Sequence, residues 1–205
     1  LFQIHPIKAK YINHINILGN SRTFDKVIRR ELSISEGDPL IEDISEINKK
    51  IKQLDFFESV NTSKVFIDEE FVDIDIKVKE KQTGTFNAGF SFGSLDGASF
   101  ITGLKEKNIG GTGRSLEFLI NTNENANQFT LSSLDRHFFN YDVDVKYGIT
   151  YKEQDLSSTN SYKLDVLKLD TGISYLFQKN LKHNFNLLYL LKDYQVTNSG
   201  TVSNS

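Results

Sequence analysis

The hydrophobic period changes once along this chain, near Lys81. Before that point apolar residues recur at helical spacing between strands. The stretch closes on a strict alternation, Val72-Asp73-Ile74-Asp75-Ile76-Lys77-Val78-Lys79. After it no helical period survives. Segments of about ten residues alternate instead, with aromatics on one face and Gly, Ser, Asn or charge on the other. The pattern predicts a small α+β domain followed by antiparallel amphipathic strands.

In the first part, Tyr11 to Leu18 carries apolar residues on both faces and reads as a central strand. Gly19-Asn20-Ser21 is a turn. A helix capped at Thr23 follows, with Phe24, Val27, Ile28 and Leu32 as its buried stripe. Gly37-Asp38-Pro39 supplies a stop, an N-cap and a first-turn proline for a second helix. Leu40, Ile44, Ile47, Ile51 and Leu54 recur along its buried side. Phe56 to Phe66 and Phe71 to Glu80 are strands joined by the turn Asp68-Glu69-Glu70. The order strand, helix, helix, strand, strand places both helices on one face of a three-stranded sheet.

From Thr83 on, Phe86, Ala88, Phe90 and Phe92 oppose Thr85, Asn87, Gly89, Ser91 and Gly93. Six further segments repeat this, holding Phe100 to Leu104, Leu116 to Ile120, Phe129 to Ser133, Val143 to Tyr151, Leu167 to Phe177 and Phe185 to Leu191 on one face. In the last, Leu188 and Leu190 occupy the other face and leave its orientation open. The segment lengths match the ~9–11 residues that a tilted membrane-spanning strand needs. If the first strand starts on the periplasmic side, the short connections at 108–113, 137–142 and 178–182 fall on that side. The longer polar connections at 121–127 and 152–161 then fall outside, as barrels require. The short turn Ser94 to Gly97 is an exception. The polar face has too little apolar material for a second packed layer, and the aromatic face has no partner in the chain. Both points favour an incomplete antiparallel transmembrane β-barrel over a soluble sheet with one wet face.

Composition narrows the picture. The net charge is −3 over 205 residues, which gives no basic footprint for nucleic acid. No run of ~18 apolar residues predicts a transmembrane helix, although strands span by alternation alone. There is no Cys, hence no disulfide and no thiolate metal site. There is also no Met, and the chain opens Leu1-Phe2-Gln3 without a signal peptide, so it reads as a fragment cut at both ends.

No catalytic constellation emerges, and the chain does not read as an enzyme or a cofactor binder. His5, His14, His137 and His183 lie on separate elements, without the spacing of a metal site. Asp73/Asp75 and Asp142/Asp144 each share a strand face, which is the commonplace pattern of a solvated surface. Gly110-Gly111-Thr112-Gly113 lacks the lysine and helix of a phosphate loop and reads as a tight turn.

Several runs resemble the BamA family of outer-membrane assembly factors. Ile17-Leu18-Gly19-Asn20, Val27-Ile28-Arg29-Arg30-Glu31-Leu32 and Leu54-Asp55-Phe56-Phe57-Glu58-Ser59-Val60 resemble its last POTRA domain. Val78 to Gly84, followed by Phe86, Gly89 and Gly93, resembles its lead-in to the barrel. Asn108 to Gly113 resembles its first periplasmic hairpin. The resemblance implies the end of a preceding POTRA domain at 1–8, a periplasmic POTRA domain at 9–81 and the N-terminal part of an outer-membrane barrel at 82–205. It further implies an insertase whose partners are unfolded outer-membrane proteins, periplasmic lipoproteins and outer-membrane lipid. Thr83, Gly84, Thr85, Phe86, Asn87, Gly89, Phe90 and Gly93 would form a weak lateral-gate strand, where glycines raise backbone freedom and an incoming strand adds to the exposed edge. Arg29, Arg30 and Glu31 would dock a lipoprotein, and Asn108, Gly110, Gly111 and Gly113 would form a periplasmic turn. The alternatives are a related two-partner secretion pore, exporting a dedicated substrate, and a soluble scaffolding module.

Overall fold

The computed structural model describes residues 9–40, 43–94, 97–157, 161–178 and 181–196. The chain divides into two units: residues up to Thr83 together with Gly110–Gly113, and Gly84–Ile109 together with everything from Arg114. The segment 1–8 (with His5), the tail 197–205 and parts of the predicted connections at 94–97, 152–161 and 178–182 lie outside the described residues.

The first unit runs β1 (Tyr11–Leu18), α1 (Asp25–Arg29), α2 (Ile44–Gln53), β2 (Phe57–Phe66) and β3 (Phe71–Glu80). Strict alternation puts β3 at the centre. Val72, Ile74, Ile76 and Val78 are all buried, and all but Val72 share one cluster with Ile12, Ile15, Val27, Ile28, Ile47, Ile51, Phe56 and Val60. Burying each such aliphatic side chain stabilises the fold by roughly 1.5–3 kcal/mol. β1 pairs parallel to β3 and β2 antiparallel, in the order β1-β3-β2.

Three details depart from the sequence pattern. β1 is an edge strand, not a central one: a register shift between Ile12 and Ile15 turns both inward although they differ in parity. The apolar residues on its two faces therefore record a bulge. α1 is only five residues long and begins after Phe24, with no side-chain cap. Thr23 is buried and its amide donates to Glu80. The second helix is capped by Asp43, whose carboxylate accepts from the Ser45 amide. Asp38 and Pro39 do not start it. They lie along the outer edge of β1, where Ile12 N–H donates to the Asp38 carbonyl (2.9 Å) and Gly37 N–H to the Ile12 carbonyl (2.7 Å).

The second unit is a seven-stranded antiparallel sheet in sequence order: β4 (Gly84–Gly93), β5 (Gly97–Glu106), β6 (Ser115–Asn123), β7 (Ala126–Asp135), β8 (Val143–Asp155), β9 (Tyr162–Gln178) and β10 (Leu181–Val196). The expected contrast in connection length is not observed. β6 and β7 are separated by residues 124–125 alone, because the polar run around Asn121 and Asn127 continues the ladder, pairing Asn121 with Gln128 and Thr122 with Asn127. Polar residues here lengthen strands instead of looping. Two connections at the end of the sheet where β4 begins are longer, spanning 107–114 and 136–142.

Candidate functional site

Register sorts the two faces of the second unit. Directly paired residues form a row across all seven strands: Phe86, Leu104, Phe118, Leu131, Ile149, Leu169 and Tyr189. Every member is apolar. The parallel row on the other face is Thr85, Lys105, Glu117, Ser132, Gly148, Asp170 and Leu188. Leu188 and Leu190 thus stand on the polar face, opposite Asp170 and Lys168, and Phe185 to Leu191 keep to the apolar one. Lys105 pairs with Glu117 at 3.2 Å and Lys168 with Asp170 at 3.2 Å. A Cβ on Gly148 would crowd the Asp170 carboxylate, so that glycine makes room on the polar face. Among the described residues, the only buried apolar side chain of this unit is Val145. The aromatic rows are therefore uncovered by helix or second sheet, the arrangement of a lipid-facing belt.

The apolar band runs diagonally. On β4 it reaches Phe92, yet the row of Phe90 ends in Glu153, Asp165 and Asp193. On β10 it spans Phe185 to Leu191 instead. Strands tilted to the membrane plane produce such a drift.

Among the described residues β4 borders the sheet and pairs with β5 alone, from Gly84–Glu106 to Gly93–Gly97 without a register shift. Phe86, Phe90 and Phe92 are 67%, 75% and 78% exposed. Of the predicted gate residues, Thr83 precedes the strand and the others lie on it. A Cβ on Gly84 or Gly89 would press on Glu106 or Ile101, whereas one on Gly93 would meet nothing. Packing thus gives a reason for the first two glycines and none for the third. The opposite border, β10, is 16 residues long against 10 for β4.

The predicted docking residues are less exposed than a free charged patch. Arg29 ends α1, Arg30 is its C-cap and Glu31 follows. Arg29 donates through Nη2 to the Ile15 carbonyl at 2.7 Å and lies 3.5 Å from Glu36. Arg30 is 15% exposed, approaches Glu31 at 3.9 Å and lies against Gly113. In the predicted turn, Gly110, Gly111 and Gly113 all have positive φ, and Asn108 N–H donates to Glu106. The Gly111 carbonyl accepts from Phe24 N–H at 3.0 Å.

Two buried carboxylates escaped the sequence reading, because neither belongs to a spaced motif. Asp135 is held by Arg114 at 2.8 Å. Glu80, with a side chain 7% exposed, accepts from Thr23 N–H (2.7 Å), Arg22 N–H (3.0 Å) and the Ser21 hydroxyl (3.0 Å). Burial alone would raise its pKa; the hydroxyl and amide of Thr23, the Arg22 amide and the Ser21 hydroxyl outweigh this and hold it down at about 2. Asp73 and Asp75 accept from Asn13 and Asn16, and Asp144 from Lys182. No group of three or more His, Asp or Glu among the described residues could hold a metal ion.

The POTRA family, described as a surface antigen variable number repeat, matches residues 10–81, and the Omp85 superfamily domain matches residues 108–204. The chain is 27% identical over 182 residues, 88% of its length, to the outer membrane protein assembly factor BamA of Neorickettsia risticii. Its fold matches BamA from Haemophilus ducreyi lacking POTRA domains 1-3, with a TM-score of 0.79 and 26% identity over 91% of this chain and 36% of that one. Over most of its length the chain is similar to BamA. It spans 25% of the length of the Neorickettsia relative. CdiB from Acinetobacter baumannii shares the fold alone, with a TM-score of 0.56 and 14% identity over 89% of this chain and 39% of that one. The chain comprises a POTRA domain followed by strands of an incomplete β-barrel.

Proposed function

We propose that this chain is part of a factor that folds and inserts other β-barrel proteins into the outer membrane, without ATP or covalent chemistry. The strands cross the outer membrane and the POTRA domain lies in the periplasm. The observation that carries this reading is β4, a ten-residue strand hydrogen-bonded on one side only, with phenylalanines toward lipid. In hydrocarbon an unpaired backbone group costs several kcal/mol. In the full-length protein the edge of β4 needs the closing strand, and opening that seam offers the same row of N–H and C=O groups to a client strand. Insertion then becomes an exchange of partners by β-augmentation. Gly93, which no contact requires, adds backbone freedom at the outer end of the seam.

The POTRA domain handles clients and a periplasmic lipoprotein of the assembly complex, which docks around Arg29, Arg30 and Glu31. Arg29 supplies the accessible charge, and the half-buried Arg30 and Glu31 support it from beside it.

The decisive experiment is a disulfide between β4 and the closing strand of the full-length protein. Client insertion into lipid vesicles is expected to stop and to return on reduction. Undiminished insertion with the seam locked rules the gate out. For docking, Glu31→Lys is expected to lose the lipoprotein in pull-down, and full retention counts against that surface.

A further inference from the structure

The chain passes between the two units at three places: Thr83–Gly84, Ile109–Gly110 and Gly113–Arg114. One short loop, residues 19–24, holds the first-unit side of two of them, at Lys81 and at Gly111. It follows β1, and it is fixed at both ends by backbone contact. Gly19 has φ +93 and lies so close to the Val78 carbonyl that a Cβ would overlap its oxygen. Gly111 has φ +74, and a Cβ there would overlap the Arg22 carbonyl oxygen. Between these contacts the loop turns two successive amides, Arg22 and Thr23, onto the Glu80 carboxylate, and Ser21 adds its hydroxyl. Consecutive N–H groups aimed at one anion form a nest, and charge-assisted bonds of this kind are about twice as strong as neutral ones.

The same loop grips the chain on either side of that carboxylate. Arg22 Nη2 donates to the Lys81 carbonyl at 2.6 Å. Lys81 is held further by its own amide, which donates to the Phe56 carbonyl at 3.0 Å, and by its ammonium, which pairs with Asp55. Phe24 N–H donates to the Gly111 carbonyl at 3.0 Å. Three residues after Lys81 the strand β4 begins.

We propose that Glu80 is a positioning residue for the strand that follows it. Its carboxylate locks the 19–24 loop, and the locked loop fixes both the point where the chain leaves for β4 and the 110–113 turn. A carboxylate needed only for the stability of the α+β unit would have no reason to gather its donors on the loop that also grips Lys81 and Gly111. An ordinary hydrophobic residue at the end of β3 would serve that purpose.

The test is hydrogen exchange on the full-length protein in lipid nanodiscs, comparing the native chain with Glu80→Gln and with Ile76→Ala as a core control. Glu80→Gln is expected to speed exchange about tenfold at amides 21–24, 82–86 and 110–113 and to leave 72–78 unchanged. Ile76→Ala is expected to raise exchange across 72–78. Unchanged exchange at 82–86 and 110–113, or a rise spread evenly over 72–78, overturns the proposal. Should Glu80→Gln fail to assemble, Thr23→Val exchanges the buried hydroxyl for a methyl and is expected to give the same regional pattern at smaller amplitude; an even rise there overturns it equally. The consequence for client insertion rests on the gate reading of β4, but the exchange pattern does not. A locked seam that still inserts clients sinks the gate and leaves the clamp standing, and flat exchange does the reverse.

Discussion

The Arg29 guanidinium donates to the carbonyl of Ile15 at 2.7 Å, and in doing so closes the outer edge of β1. The Ile15 amide on the same edge donates to Glu36 at 3.1 Å, and the 37–40 segment covers the start of the strand. β1 is therefore shielded from pairing with another chain, a protection that edge strands need. Arg29→Ala alone is expected to cost about 1–3 kcal/mol through the carbonyl it leaves behind. Arg29→Ala combined with Glu36→Ala should expose both groups of Ile15 and promote self-association, measurable by sedimentation velocity. A strictly monomeric double variant would contradict this account of the edge.

Glu80 predicts an acid-sensitive first unit. Its folded pKa of about 2 lies below the ordinary 4.5, so the unfolded chain binds the proton more readily. The contribution is present above pH 4.5 and is lost as pH falls toward 2. At full strength the gap corresponds to roughly 3 kcal/mol. Urea midpoints measured between pH 6 and pH 2.5 should fall more steeply for the native chain than for Glu80→Gln.

Two glycines of β4 separate freedom from packing. Gly93→Ala adds a methyl to open space and should only stiffen the strand, by about 0.5–1 kcal/mol. If seam opening uses that freedom, client insertion slows while the assembled protein melts no earlier. Gly89→Ala presses on Ile101 and should lower the melting temperature as well.

The belt predicts opposite tolerances on neighbouring strands. Phe118→Arg places a charge in the apolar row and should cost about 2–4 kcal/mol, read as loss of folded protein in lipid. Thr130→Arg points to the polar face, between Leu119 and Thr150 in the row that also holds Asn87, Gly103 and Lys168, and should be tolerated.

Alternation was legible because it depends on one residue at a time. The buried set Val72, Ile74, Ile76 and Val78 and the outward Phe86, Phe118 and Tyr189 stand where period two places them. What failed depends on distant partners. Thr23 looks like a helix cap, but the carboxylate of Glu80 takes its amide. Asp38-Pro39 looks like a helix start, but the free edge of β1 recruits it. Asn121 and Asn127 look like loop residues, but ladder pairing on either side draws them into strands. The Glu80 and Asp135 sites carry no local signature, since their donors lie 57 and 21 residues away.

The slanting belt has a consequence for whatever joins β4. Because the oily stretch climbs from Phe185–Leu191 on β10 to Phe86–Phe92 on β4, each newcomer must enter with a fixed offset. A slip of a single position would turn its greasy side chains toward the water-filled interior along its whole length. On the proposed gate reading, the border strand would act as a reading frame, accepting only chains whose phase agrees with its own.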